Sequence, residues 1–197
     1  MRVARYILWG LVLLALAALA VAMLVPTRQR PPRGETITMA AFGGPFTLTG
    51  ADGQPFSSAR LAGKPYAIFF GFTHCPDVCP TTLARLVRLR RQVEGERPFE
   101  ILFVTVDPER DGPAEVGRYA RLFDSPVIGL TGSPAQIDQV RKQFGIFSSK
   151  VPDGSGGYGV DHTATVLLFD RKGGFVATIS PEEPDGAALA KLKRISA

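Results

Sequence analysis

Cysteine, histidine, methionine and tryptophan are all scarce in this 197-residue chain, which has two, two, three and one of them. Two cysteines exclude a disulfide-stapled scaffold, and a soluble region of about 155 residues can bury a core without such staples. Met39 is the only methionine beyond residue 23, which leaves no thioether-rich metal site. Basic excess is missing too, once the charge is located. The formal net charge of +5 resides on Arg2, Arg5, Arg28, Arg30 and Arg33, with no acid among the first 33 residues; from Gly34 onward 18 basic side chains face 18 acidic ones. No nucleic-acid motif accompanies that balance, so no nucleic-acid partner is expected. Arg85, Arg88, Arg90 and Arg91 do cluster. They read as a solvated helix face, with docking to an acidic partner as the sharper alternative. Internal repeats and long low-complexity tracts are absent.

Long hydrophobic runs are absent but for one. Tyr6 to Val25 is uncharged and long enough to cross a bilayer as a helix. Arg2 and Arg5 before it suit an N-terminus held in the cytoplasm. The expectation is a cytoplasmic stub (1–5), an uncleaved transmembrane anchor (6–25), a juxtamembrane linker (26–40) and one folded domain (41–197). The alternative is a signal peptide cleaved near Ala20-Val21-Ala22. Either way the domain is exported, where thiols can be oxidised and metals exchanged.

The two cysteines that are present stand together, in Gly71-Phe72-Thr73-His74-Cys75-Pro76-Asp77-Val78-Cys79-Pro80-Thr81-Thr82-Leu83. An apolar run, Tyr66 to Phe72, leads in, and the helical spacing of Leu83, Leu86, Val87 and Val93 leads out. A strand, a short turn and a helix N-terminus form a setting that favours a thiolate. Pro80 suits the first helical turn, and cysteines four apart on a helix face the same way. A structural disulfide would close a loop of only about five residues and constrain the unfolded chain by about 2 kcal/mol. The pair therefore reads as a reactive or metal-binding dithiol.

The remainder reads as one α/β domain. Phe46–Thr49 and Pro55–Ser57 flank a turn at Ala51-Asp52-Gly53. Tyr66–Phe72 and Glu100–Val106 are buried strands joined through a helix that ends near Gly95, which implies a right-handed parallel crossover. A helix over 113–123, a short strand over 127–130 and a helix from Ser133-Pro134 to Phe144, ended by Gly145, follow. Thr165–Phe169 and Phe175–Ile179 read as an antiparallel hairpin, and a last helix spans 185–195. Ser148 to Gly159 stands apart. It has four glycines and no apolar periodicity, so it reads as a mobile surface loop. The loop ends at Asp161-His162. In a four- or five-stranded sheet of thioredoxin type, the strand after His162 neighbours the strand before Cys75 and brings the histidine over the dithiol. Two thiolates and one imidazole form a soft ligand set suited to copper, with zinc a further option. Asp77 and Asp161 could tune or orient these ligands from behind, or serve as local caps. Asp107 reads as a strand-end turn residue, and His74 is expected to point away from the sulfurs.

These motifs resemble the Sco/SenC family. The run 71–83, the segment Val106-Asp107-Pro108-Glu109-Arg110-Asp111 and Asp161-His162-Thr163 occur in that family's order over about residues 40–195. The resemblance implies a thioredoxin-like fold, a central mixed sheet flanked by helices, and a copper-binding metallochaperone rather than an enzyme. It places Cys75, Cys79 and His162 as ligands to Cu(I) or Cu(II). It implies delivery to the binuclear copper site of cytochrome c oxidase, with the oxidase's copper-bearing subunit as partner and an upstream copper donor. With the anchor, it implies a single-pass protein of a bacterial inner membrane whose domain faces the periplasm. The family's other debated role, reduction of the oxidase's copper-site cysteines by a redox-active Cys75–Cys79 pair, is carried over as the alternative. A general thiol oxidoreductase fits less well, because the spacing is one residue longer than Cys-x-x-Cys and His162-Thr163-Ala164-Thr165 lacks the proline that faces the dithiol in such enzymes. A peroxiredoxin-like reading founders on Pro76 and Phe72, which stand where that motif has Thr and Pro.

Overall fold

The computed structural model describes residues 9, 42–93, 99–154 and 156–197. Residues 39–197 form one compact unit, distinct from 1–38. The two buried apolar runs become its centre. Strands β3 (Tyr66–Gly71) and β4 (Glu100–Thr105) pair in parallel from Tyr66↔Glu100 to Gly71↔Thr105. Every residue of β3 is buried, as expected of a strand covered on both faces. Between them runs helix α1 (Val78–Arg90), which buries Cys79, Leu83, Leu86, Val87 and Leu89. A second crossover through α2 (Pro113–Ala120) adds β5 (Val127–Thr131) parallel to β4.

Antiparallel strands complete the sheet on both sides. The hairpin β1 (Thr47–Gly50) and β2 (Pro55–Ser57) docks through Thr49↔Thr131. Beyond a two-stranded sheet of β6 (Ser148–Pro152) and β7 (Tyr158–His162), the chain returns as β8 (Val166–Phe169) against β3 and β9 (Phe175–Ile179) against β8. The strand order is β2-β1-β5-β4-β3-β8-β9. The expected α/β class with a mixed sheet flanked by helices is thus observed, and β3 does neighbour the strand that follows His162. The sheet has seven strands, not four or five, because both flanking hairpins extend it.

Helix boundaries follow local chemistry. Helix α3 (Pro134–Gln143) opens on a capping box between Ser133 and Gln136 and is followed by Gly145 at φ +62°, a conformation suited to a helix end. Helix α4 (Asp185–Ser196) closes the chain against α1. Helix α1 stops at Arg90, short of Gly95. Phe70 and Phe144 pack with ring centroids 5.5 Å apart, and Phe144 in turn meets Phe46 and Phe169. Phe69, next in sequence to Phe70, points to the other face of the sheet, where its ring lies 6.0 Å from that of His162.

Three expectations need correction. The segment 148–159 is not an open loop: Ser148 pairs with His162 and Pro152 with Tyr158, while Gly154 and Gly156 at positive φ turn the chain between them. The arginine cluster is engaged within the fold. Arg85 and Arg88 pair with Asp185, Arg91 with Asp124, and Arg90 donates to the Phe99 carbonyl. Third, the placement as a single-pass protein of a bacterial inner membrane with a periplasmic domain is not retained. Among the described residues no helix is long and apolar enough to cross a membrane. The longest, α1, has 13 residues, or roughly 20 Å, against about 30 Å of hydrocarbon. Residues 6–25, Trp9 apart, and Met39 lie outside the described residues.

The packing of α2 on β5 yields a stability test. A Cβ at Gly129 would stand 2.6 Å from the Val116 carbonyl oxygen, a backbone atom with little room to yield. Gly129→Ala is expected to cost about 1–3 kcal/mol. Gly186→Ala, in α4 with nothing within 4 Å, is expected to be neutral or stabilising by up to about 1 kcal/mol. Urea unfolding of the two variants beside the parent protein measures both.

Candidate metal centre

The site lies where β3 runs out into α1. Past Gly71 the chain turns, with the Cys75 N–H donating to the Phe72 carbonyl at 3.2 Å. Cys75 therefore sits in the turn and not on the helix. Cys79 lies in the helix's first turn, and its N–H points at Cys75 Sγ, 3.5 Å away. The sulfurs converge because a turn folds back on a helix N-terminus, not because they share one helical face. Both cysteines are free thiols. Cys75 is half-buried, whereas Cys79 has no solvent exposure.

His162, the last residue of β7, reaches this pair from the other side. Its Nε2 lies 3.5 Å from Cys79 Sγ, and one ligand atom from each of Cys75, Cys79 and His162 lies within 4.8 Å of the others. Its Nδ1 is 3.1 Å from the Thr163 carbonyl. A carbonyl oxygen only accepts, so the hydrogen sits on Nδ1 and the Nε2 lone pair faces the sulfurs. Phe69 and Phe72 present rings at 6.0 and 5.8 Å from the imidazole. Burial lowers the pKa of His162 and outweighs the opposing effects of the Thr163 carbonyl and Asp161. The imidazole is therefore held in its neutral, metal-competent form.

Cys79 behaves differently from the thiolate expected at a helix start. Burial, reinforced by Cys75, pushes its thiol pKa well above the ordinary cysteine range. A helix terminus contributes about 0.3–1 kcal/mol, which is too little to offset removal of the sulfur from water. The sulfur is also confined sterically. A Cβ at Gly71 would lie 2.6 Å from Cys79 Sγ and 3.1 Å from the Phe103 ring, so only glycine leaves room for it.

The neighbouring candidates fall in different places. Asp77 accepts from the Thr81 hydroxyl at 3.1 Å, a local helix-start contact. Asp161 is exposed, opposite Ser149 in the hairpin, and acts on His162 only through its charge. His74 turns away from the sulfurs, its Nδ1 3.5 Å from Asp111. Two buried carboxylates, Asp107 and Asp111, escaped the sequence reading as functional elements. Asp111 accepts from the Thr73 N–H at 2.8 Å, the Thr73 hydroxyl at 2.6 Å and the Thr105 hydroxyl at 2.7 Å. It thereby fixes the turn that presents Cys75. The signal was available: charged residues directly after a buried strand, where only a satisfied carboxylate can be enclosed.

Comparison with known proteins follows this geometry. The profile of the SCO1/SenC family matches residues 34–197. The mitochondrial SCO2 homologue of Bos taurus is 41% identical over 152 residues, 75% of this chain but 57% of that protein. The chain thus spans little more than half of that relative. The copper-bound structure of Bradyrhizobium japonicum ScoI superposes with a TM-score of 0.71 at 42% identity, over 79% of this chain and 99% of that one. BsSco, described as containing a disulfide switch and as a member of the Sco family of cytochrome c oxidase assembly proteins, superposes with a TM-score of 0.61 at 25% identity, over 78% of this chain and 92% of that one.

The unequal exposure of the two thiols sets an expectation that involves no metal. In the reduced native protein, iodoacetamide should modify Cys75 at least about tenfold faster than Cys79, since reactivity follows thiolate content and access. Peptide mass spectrometry after timed quenching reads both sites. Cys75→Ala should be nearly inert until denatured.

Proposed function

The chain belongs to the SCO1/SenC family, and from that premise and the thioredoxin-like fold we propose that its 41–197 domain carries copper and passes it to cytochrome c oxidase during assembly. One observation supports this above the others: Cys75, Cys79 and His162, from two separate elements, bring three soft or borderline donor atoms within 4.8 Å of one another. Thiolates suit Cu(I), and an added imidazole makes the site tolerant of Cu(II). Copper is cargo here, bound and released without turnover.

The residues divide the work. His162, with Nδ1 tied to Thr163, offers Nε2 without reorientation. Cys79, a protonated thiol when free, gives up its proton as the metal arrives, so loading releases a proton to solvent. Cys75 lies on the accessible side, where an incoming cysteine of the oxidase's copper-bearing subunit can begin ligand exchange. An upstream donor would load the site by the same route in reverse.

The alternative, reduction of the oxidase's copper-site cysteines, draws on the same asymmetry. An accessible Cys75 would attack a target disulfide, and Cys79 would then resolve the mixed disulfide, leaving the pair oxidised and the target reduced. The intimate contact of His162 with Cys79 favours the copper reading, because dithiol exchange does not call for an imidazole there.

Anaerobic titration of the reduced protein with Cu(I) should end at one copper per chain. Cys75→Ala and Cys79→Ala should each abolish binding, while His162→Ala weakens it and destabilises the Cu(II) form. Unchanged affinity in both cysteine variants would refute copper carriage. In cells lacking the native protein, His162→Ala should fail to support oxidase assembly, as the double cysteine variant fails. Full assembly with His162→Ala but not with the cysteine variant would transfer the function to thiol reduction.

A further inference from the structure

The three donor atoms sit on two pieces of structure that share no strand pairing. Cys75 and Cys79 belong to the β3–α1 junction, whereas His162 ends the two-stranded β6–β7 sheet, which pairs with no strand of the main sheet. The 3.5 Å approach of His162 to Cys79 therefore depends on how that hairpin is seated. At its base, Arg141 from α3 donates to the Ser148 carbonyl at 3.1 Å, and the Thr163 N–H donates to the Phe147 carbonyl at 3.0 Å. Further out, the hairpin lies on the turn after β4.

That second seat is dense. The Tyr158 hydroxyl donates to Asp107 Oδ1 at 3.0 Å, and Arg110 Nη1 donates to the Tyr158 carbonyl at 2.9 Å. The Arg110 guanidinium lies 3.8 Å from the Tyr158 ring centre while its Nε pairs with Asp107 Oδ2. The same guanidinium stands 6.0 Å from the Phe72 ring, whose edge meets His162. The side chain of Asp107 is fully buried, so these are charge-assisted bonds shielded from water, the kind that carries weight. Lys150–Glu109, at 2.6 Å, is an outer contact between exposed groups, a kind worth little. The turn that holds the hairpin also holds the dithiol, because Asp111, four residues after Asp107, accepts from Thr73.

We propose that Asp107 and Arg110, closing on Tyr158, form a latch that keeps the β6–β7 arm seated and so positions His162 against Cys79. This deepens the copper-carrier reading and rests on it for the consequence at the metal. The arm is fixed at its base by Arg141–Ser148, the residue paired with His162, and braced further out at Tyr158. Opening the brace leaves β7 free to shift at its His162 end, so the imidazole loses its fixed place against Cys79 and the site falls back on its two thiolates. None of the three residues touches the metal ligands as a donor, so all three are positioning residues.

The test uses Arg110→Ala and Tyr158→Phe, with Glu109→Ala as the control for the outer contact, since Lys150 itself lies 4.6 Å from the Tyr158 ring. In the metal-free protein, hydrogen exchange at residues 158–163 should accelerate about tenfold in Arg110→Ala, less in Tyr158→Phe and not in Glu109→Ala, with α1 unchanged. Alkylation of Cys79 should accelerate in the same order as its imidazole cover lifts. In the copper-loaded protein, affinity should fall about tenfold in Arg110→Ala, the usual scale for loss of a ligand-orienting partner. The Cu(II) electron paramagnetic resonance spectrum should lose imidazole nitrogen coupling. In a His162→Ala background, Arg110→Ala should lower affinity no further. Equal losses with and without His162 would overturn the latch, as would unaltered hairpin exchange and Cys79 alkylation in Arg110→Ala. If the parent protein takes up no copper, the carrier reading fails while exchange and alkylation still decide the latch.

Discussion

Asp111 has no access to solvent, and the form of the site follows from how its carboxylate is satisfied. A buried carboxylate costs several kcal/mol unless donors surround it. Thr73 supplies two of them, from backbone and side chain, and Thr105 supplies a third. Thr105 ends β4, and Thr73 lies just past the end of β3. The carboxylate thus binds together the C-terminal ends of two adjacent parallel strands, the usual edge for a ligand site in an α/β sheet. It also accounts for the shape of the turn. With Thr73 pinned from below, the chain returns on itself, Cys75 bonds back to Phe72, and α1 starts where Cys79 can tuck against Gly71.

Burial and local electrostatics compete at the dithiol, and burial prevails. The helix start and the neighbouring N–H groups would lower a thiol pKa in an exposed position. At Cys79 the sulfur is wholly enclosed, and the pKa rises instead. The same desolvation lowers the pKa of His162. Both shifts favour neutral partners, a thiol donating to an imidazole, with no net charge sealed in the metal-free site. Such a pocket is at rest without its ion. A copper ion held there would supply the positive charge that makes a Cys79 thiolate stable, so its binding and the loss of the proton would be linked events.

How much of this was legible in the sequence depended on whether the cause was local. The dithiol needed only the two cysteines and the change of periodicity from Tyr66–Gly71 to Leu83–Val87. Ser133-Pro134 announced the start of α3, and His162 was placed by the expectation that β8 lies beside β3, which Ile68↔Leu167 bears out. What the sequence hid was set from far away. Residues 148–152 are largely exposed, so no alternation marks β6, and its pairing with β7 is supported by Asp107 and Arg110, some 50 residues earlier. Arg85, Arg88, Arg90 and Arg91 look like a free cationic face because their partners, at 99, 124 and 185, are distant in sequence. The extra strands were recognised as hairpins, but nothing near Thr49 declares that it will pair with Thr131.

A carrier, the role proposed for this chain, has to satisfy opposed requirements, and the architecture offers two elements between which to divide them. Tight holding favours donors fixed in advance, since ordering a ligand on binding lowers affinity. Release requires that one donor leave at modest cost. Cys79 is poorly placed to be that donor, for its sulfur is wholly enclosed against Gly71. The imidazole is better placed. It ends a two-stranded sheet whose outer strand is largely exposed and which is seated by Val160 in the core together with polar contacts at Ser148 and Tyr158. Elements held by few apolar contacts are the ones that open below the global stability of a protein. On the proposed carrier reading, the rigid half of the site would set which metal is bound, and the mounted half how easily it is surrendered.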